Sequence, residues 1–262
     1  MMKVSIVIPT YKRPDLLKRL LISIEKQSFK NYEVIVVDDN SSNIEDYKKV
    51  VKIFSKRFSE FKYFRNEINS GAPFSRNFGI KEAKYELIAL VDDDDEWMPN
   101  KLGKQVEVFK YGVSELGLVY TWTYVCENGK LKEGVYNSTI SGNVHKTIFK
   151  NCFVPSPSVM VKKNAIVGAG MFDEEMPSCQ DWDMWTRIFQ NGFHCDYVNE
   201  YLTIYHKHDS ETIGMSKNAF NGYKKYYYKH AFSILIHLKF KGLLILLRHY
   251  YGTILRATDR LN

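Results

Sequence analysis

The sequence predicts an α/β protein: a mostly parallel central sheet flanked by helices, with a basic, aromatic, helical tail at its C-terminus. Three observations carry this. Over the first hundred residues, short β-branched runs alternate with stretches of helical periodicity, the pattern of βαβ units. Three of those runs end in polar clusters, Thr10-Tyr11, Asp38-Asp39-Asn40 and Asp92 to Asp95, at the strand ends where open α/β sheets collect their ligands. Residues 217–262 hold nine of the chain's 37 Lys/Arg but only one of its 30 acids, Asp259, which makes the tail +8 and leaves the body at −1.

The elements follow in order. Val4 to Ile8 is an apolar run stopped by Pro9, too short and without the small-residue cleavage site of a signal peptide, and so reads as a strand. Pro14-Asp15 opens a helix with Leu16, Leu17, Leu20, Leu21 and Ile24 on one face. Glu33 to Val37 is a second buried strand. Val50, Val51, Phe54 and Phe58 mark the next helix, and a short strand lies near Lys62 to Arg65. After Asn69-Ser70-Gly71-Ala72, Pro73 suits the first turn of a helix running to about Ala83, and Tyr85 to Val91 is the strand that runs into the four aspartates. In the second half, Leu118 to Cys126 alternates as a strand and Asn128-Gly129 signals a tight hairpin. Ser158 to Val161 is a further strand, and Trp182, Trp185, Ile188 and Phe189 are at helical spacing behind Gln180-Asp181. From about Ser216 the chain is helical, with Gly242 as a break.

With 262 residues, 45% hydrophobic and 26% charged, the chain buries a sizeable core, as one large domain with an appendage. The uneven charge excludes a uniformly basic nucleic-acid binder and leaves the tail as the part that needs a partner. Cys126, Cys152, Cys179 and Cys195 form no CxxC pair and no metal spacing with histidines, so reduced thiols of a cytosolic protein are expected. No stretch reaches the roughly 20 apolar residues of a membrane span. The most apolar one is cut by His237, Lys239, Lys241 and Arg248, so the protein stays in the cytosol or lies on a membrane.

Neither a GxGxxG nor a GxxxxGK[ST] motif is present to hold phosphates. Four consecutive aspartates, Asp92 to Asp95, cannot all stay ionised without a compensating cation, and Mg²⁺ or Mn²⁺ commonly joins such carboxylates to substrate phosphates. The structural alternative is a solvated loop with Asp95 capping the helix after Pro99. Trp97, where a loop glycine would be required, excludes an EF-hand.

Five segments together resemble the inverting glycosyltransferases of family 2, which have the GT-A (nucleotide-diphospho-sugar transferase) fold. They are VSIVIPTYKRPDLLKRLLISIEKQSFKNYEVIVVDDNSS, NSGAPFSRNFGI, ELIALVDDDDEWMPNKL, CQDWDMWTRI and YHKHDSET, and the resemblance covers roughly residues 3–210. It implies a catalytic domain over 1–216, with a nucleotide-binding half at about 1–100 and an acceptor half at about 101–216, followed by a membrane- or interface-associating tail at 217–262. Thr10, Tyr11 and Asp39 would lie near a uridine-type base, with Arg76 close to the base or diphosphate. Aligned on Trp97 and Pro99, Asp92-Asp93-Asp94 is the DXD motif, with Asp94 the metal ligand and Asp92 or Asp93 reaching the ribose. Asp181 matches the second residue of the family's ED motif and is the candidate general base, its alternative role being an N-cap. Gln180 departs from that motif's Glu. His208 matches the closing histidine, in contact with diphosphate or metal, and His206 stands where that segment often has Arg. Trp182 and Trp185 would line an acceptor platform or, for Trp185 above all, pack in the core.

The activity implied is metal-dependent transfer, with Mn²⁺ or Mg²⁺, of a sugar from a nucleotide-sugar donor, of UDP type, to a hydroxyl of a glycan or lipid-linked glycan acceptor in surface polysaccharide synthesis. A non-catalytic subunit that binds nucleotide-sugar or polysaccharide is the competing reading, disfavoured by the intact aspartates and Asp181. Basic residues interleaved with Tyr226, Tyr227, Tyr228, Phe232, Phe240, Tyr250 and Tyr251 suit an anionic membrane surface. The tail thus predicts a peripheral protein at the inner face of the cell membrane, with packing on the domain or a homodimer interface as the alternative.

Overall fold

The computed structural model describes residues 2–207 and 217–248. The first half alternates strand and helix: β1 (Val4–Thr10), α1 (Pro14–Glu25), β2 (Tyr32–Asp38), α2 (Ile44–Phe54), β3 (Phe61–Arg65), α3 (Ala72–Glu82) and β4 (Leu87–Leu90). Every position of β1 and β2 is buried, as expected of parallel strands covered on both faces. Alternate side chains divide between two cores. Ile6, Ile8, Val34 and Val36 pack with Leu17, Leu20 and Ile24 of α1 and Phe54 of α2, while Val7, Ile35 and Val37 face Ile80 of α3.

These strands pair in parallel in the order β3-β2-β1-β4. The chain runs outward from β1 to β3 and then returns to the other side of β1, so the order reverses between β1 and β4. Beyond the carboxyl ends of strands at such a switch point a cleft opens. Thr10 ends β1 and the aspartates follow β4, both on this edge.

The second half holds β5 (Glu96–Trp97), α4 (Lys101–Tyr111), β6 (Leu116–Glu127), β7 (Lys130–Tyr136), β8 (Met160–Lys162), α5 (Lys163–Gly168), α6 (Gln180–Gln190) and β9 (His194–His206), then α7 (Lys217–Leu238). The sheet continues β4-β8-β6-β9-β5, with β7 hairpinned onto β6. Pairing is mixed here: β8 is antiparallel to both neighbours and β9 is parallel to β6. Asn128 and Gly129 take positive φ of 51° and 74°, the double left-handed turn that the Asn-Gly pair signals.

Beyond α7, residues 240–248 form a further helix. The break falls at Lys239, with φ of 51°, and not at Gly242. That glycine is a contact point, where an added Cβ would come 2.5 Å from the Ile234 carbonyl oxygen. Tyr226, Tyr227 and Ile234 of α7 are buried in the same core as Trp182 and Trp185 of α6, so the first stretch of the tail is part of the main body's packing. Tyr250 and Tyr251 lie outside the described residues.

Candidate active site

Each strand end builds one part of the cleft. The Thr10 carbonyl accepts the Asp39 amide at 2.9 Å, and the Thr10 hydroxyl donates to Asp93 Oδ2 at 2.6 Å while sharing a 2.7 Å bond with Tyr47. Its side chain is therefore committed to structure. Lys12, at φ of 57°, turns the chain between Tyr11 and Arg13, which both line the cleft. Asp39 is 4% exposed and accepts from Asn66 Nδ2 at 2.8 Å, the Ser70 amide at 2.9 Å and the Gly71 amide at 2.7 Å. It pins the loop before α3 and keeps one acceptor position on Oδ2.

In α3, Gly79 lets the helix lie on β1: a Cβ there would come 2.5 Å from Val7 Cγ1. That approach fixes Arg76, one turn earlier. Its Nη2 pairs with Asp92 Oδ1 at 2.6 Å and its Nη1 donates to Gln180 Oε1 at 3.1 Å, so one guanidinium joins the aspartate run to the start of α6.

The four aspartates separate. Asp92, Asp94 and Asp95 line the cleft. Asp93 is fully buried, bonded to Thr10 and paired with Arg13 Nη2 at 2.5 Å. Burial pushes its carboxyl up to about 7 although Arg13 and Thr10 pull it down. Asp94 Oδ2 pairs with Arg13 Nη1 at 2.6 Å, and Arg19 Nη2 donates to the Asp94 carbonyl. Asp95 is 2% exposed, and burial, reinforced by the charges of Asp94 and Asp92, raises its carboxyl well above the usual range. It caps no helix, since the N-cap of α4 is Asn100.

Across the cleft, the N-cap of α6 is Cys179, at a left-handed φ of 57°. Asp181 stands in the first turn, its Oδ1 accepting the Trp182 amide at 2.8 Å, so the expected alternative of an Asp181 N-cap is not realised. Burial raises its carboxyl and the charge of Asp92 adds to this, while Trp182 N–H and Arg76 oppose it. Trp182 reaches the cleft with one edge, but is stacked on Tyr226 at 4.0 Å between centroids and donates its indole N–H to the Ile148 carbonyl at 2.7 Å. Trp185 is wholly in the core. His206 lines the cleft with Nε2 at 2.8 Å from Glu96 Oε1. His208 lies outside the described residues.

The resulting cleft encloses about 610 Å³. It brings together Thr10, Tyr11, Asp39, Arg76, Asp92, Asp94 and Asp181, and leaves Asp93 behind the wall. Among the cleft residues that sequence reasoning missed are Arg13, Tyr136 and Tyr223, and Tyr205 was given no role there. Arg13 had a signal: four adjacent carboxylates call for cations, and arginines of the same chain answer before any metal does. A divalent ion nonetheless fits. Asp92, Asp94 and Asp95 offer hard oxygen donors, and Asp95 Oδ1 is buried without a hydrogen-bond partner. The described residues contain no group of three His/Cys/Asp/Glu that could hold a metal alone, consistent with ions of this kind being shared between one or two carboxylates and substrate phosphates.

Comparison with known proteins agrees with this geometry. The profile of glycosyl transferase family 2 matches residues 5–158, which include the β1 end, Asp39, Arg76 and all four aspartates. The GalNAc(5)-diNAcBac-PP-undecaprenol β-1,3-glucosyltransferase of Campylobacter jejuni is 30% identical over 237 residues, covering 86% of this chain and 72% of its own length. Among solved structures, S. aureus TarS 1–349 in complex with UDP-GlcNAc superposes with a TM-score of 0.72 at 20% identity, over 89% of this chain and 67% of that one. The mannosyltransferase PcManGT of Pyrobaculum calidifontis, in complex with GDP-Man and Mn²⁺, gives 0.68 at 13% identity, over 98% and 75%. The α/β architecture is thus that of GT-A glycosyltransferases. With more than half of the chain matched by the family profile, and a relative of known activity aligned over most of both lengths, the chain belongs to glycosyl transferase family 2.

Proposed function

We propose that this glycosyltransferase moves a sugar, with inversion, from a UDP-type nucleotide-sugar to a hydroxyl of a lipid-linked glycan in surface polysaccharide synthesis. The observation that carries the reading is the pairing of Arg76 with Asp92 at 2.6 Å and with Gln180 at 3.1 Å. It ties the aspartate cluster to the start of the Asp181 helix, so that the groups proposed to hold the donor and to activate the acceptor share one cleft. Tyr11, with a 38% exposed ring, and the free acceptor position of Asp39 suit a pyrimidine base. Asp92, which lines the cleft while Asp93 is buried, suits the ribose. Asp94 would hold Mn²⁺ or Mg²⁺, with His208 as the further expected ligand. When bound there, the ion supplies Lewis-acid stabilisation of the leaving diphosphate.

The protein's own groups carry the remaining steps. Asp181 takes the proton of the attacking hydroxyl, its raised carboxyl pKa bringing it closer to the basicity that this transfer needs. Arg76 offsets part of the repulsion between Asp92 and Asp181. The lipid diphosphate acceptor is supported by the undecaprenol-linked substrate named for the Campylobacter relative.

A peripheral position on an anionic membrane, at the cytoplasmic face, fits the tail. Tyr226 and Tyr227 are buried, so the candidate contact residues are the exposed ones: Tyr228, Phe232, Ile236, Phe240, Leu244 and Leu247, beside exposed Lys239, Lys241 and Arg248. Among the described residues no helix is long and apolar enough to cross a membrane.

The test is donor turnover over a panel of UDP- and GDP-sugars with Mn²⁺ and a lipid-diphosphate-linked glycan. A UDP-sugar is expected to be consumed, and Asp94→Ala to lose donor binding and turnover together. Full activity in EDTA would remove the metal from the mechanism.

A further inference from the structure

The aspartate run is compensated by two arginines of different character. Arg76 is fixed: its side chain is 10% exposed and it is held from α3 against both Asp92 and Gln180. Arg13 is 43% exposed. It stands at the N-cap of α1, in a non-helical conformation and next to Lys12 in its left-handed turn. Its guanidinium forks, with Nη2 2.5 Å from Asp93 Oδ1 and Nη1 2.6 Å from Asp94 Oδ2. Asp93 is fully buried and tied to Thr10, whereas Asp94 lines the cleft.

We propose that Arg13 is the resident counter-ion of the aspartate cluster, holding Asp94 until donor and divalent ion arrive together and then turning, on Asp93 as its pivot, to the donor diphosphate. The inference rests on Asp94 being the metal ligand. A divalent ion entering the donor-free cleft must take Asp94 Oδ2 from a guanidinium and then sit beside that positive charge. A nucleoside diphosphate removes the penalty, because its phosphate oxygens accept both the ion and the released fork, whose planar geometry matches them. Ion and donor thereby strengthen each other's binding, and the coupling is reciprocal.

The experiment is a Mn²⁺ titration followed by electron paramagnetic resonance of the free ion, on the full chain, without nucleotide and with saturating UDP or GDP. Arg13→Gln is expected to bind Mn²⁺ about tenfold more tightly than wild type without nucleotide, and to lose a similar factor of the enhancement that nucleotide brings, within the range common for coupled sites. Nucleotide affinity in Mg²⁺ should fall in the same variant, so the two changes have opposite sign. Unchanged or weaker Mn²⁺ binding by Arg13→Gln overturns the proposal and leaves Arg13 a brace for the loop. Should that variant fail to fold, Arg13→Lys, which keeps the charge but loses the planar fork that spans Asp93 and Asp94, carries the test: tighter binding than wild type supports the proposal and equal or weaker binding overturns it. Asp94→Asn separates the two readings. If it binds Mn²⁺ as wild type does, the assignment of Asp94 fails, and the inference with it.

Discussion

Asp181 carries its charge where charge is disfavoured. Burial and the neighbouring Asp92 both hold its carboxyl above the ordinary 3.8. A carboxylate with a raised folded-state pKa costs the fold stability once pH exceeds that pKa, and the cost disappears below the unfolded value. Asp181→Asn is therefore expected to lower turnover by about 100-fold or more at unchanged donor affinity, and to raise the melting temperature at pH 7. That gain should vanish as pH falls through the window between the raised value and 3.8. Steady-state kinetics with donor titration, and melts across pH, check both. The wild-type acid limb of kcat/KM should correspondingly stand above pH 3.8. Near-wild-type turnover by the variant would send the search for the base elsewhere, first to His208. The cleft positions of Tyr11, Asp39, Asp92 and Asp94 were legible because each stands at a strand end that its own segment announces, whereas Arg76 and Asp181 were reached through the family resemblance. The inward turn of Asp93 was not, because the bend closed by the Asp95 amide on the Asp92 carbonyl at 3.2 Å decides which carboxylate of the run faces the core. Tyr136 and Tyr205 were hidden for a related reason. The Asn-Gly turn announced the hairpin that carries Tyr136 but not how far its second strand reaches, and Tyr205 enters the cleft through the shifted β6–β9 register.

At the scale of elements, α6 and α7 are clamped together by Asp183, two positions beyond Asp181 and structural, as its place on the helix suggests. It is fully buried and meets Arg187 at 2.7 Å, Lys229 at 3.0 Å and His230 at 2.9 Å. Burial alone would raise its carboxyl, but His230, Arg187 and Lys229 together outweigh this and hold it well below the usual range. Its contribution to stability is therefore complete above the unfolded value of about 3.9 and is lost as pH drops below it toward the depressed folded value. Asp183→Ala leaves His230 and two cations without their partner and is expected to cost about 3–5 kcal/mol, read by denaturant unfolding at pH 7. The loss should shrink on acidification. A cost below about 1 kcal/mol would show the clamp to be incidental. The βαβ half of the fold was readable because its strands are buried runs separated by amphipathic helices. Strand β9 was not read, although it spans 13 residues. Register shifts around Trp122 disrupt its pairing with β6, and bulges of that kind erase the alternation by which strands are recognised.

For the molecule as a whole, the expected division at residue 216 meets a helix that belongs to both sides. Ending the chain there would remove Tyr226, Tyr227 and Ile234 from the core, and Ala219 and Tyr223 from the cleft wall. Surface variants are the sounder test of membrane binding. Phe232 and Phe240 are 76% and 70% exposed, and burying such a side chain contributes about 1.5–3 kcal/mol, against about 1 kcal/mol for each nearby Lys or Arg. A Phe232→Glu, Phe240→Glu double variant is expected to keep its melting temperature and lose at least about tenfold in co-sedimentation with anionic liposomes. Wild-type binding should weaken with salt and on neutral lipid. Unchanged binding by the variant, or a wild-type dimer that the variant dissolves, would assign the face to another role.

Gly222 lies so close to Ser178 that a Cβ would come 1.9 Å from its hydroxyl oxygen, and Tyr226 stacks on Trp182, the neighbour of Asp181. The helix that presents an apolar face outward is thus keyed into the cleft wall on its inner face. The tail is no interchangeable module. Its outer surface can vary without touching the cleft, whereas a foreign C-terminal helix would have to reproduce the Gly222–Ser178 approach and the Tyr226–Trp182 stack to keep the cleft wall intact.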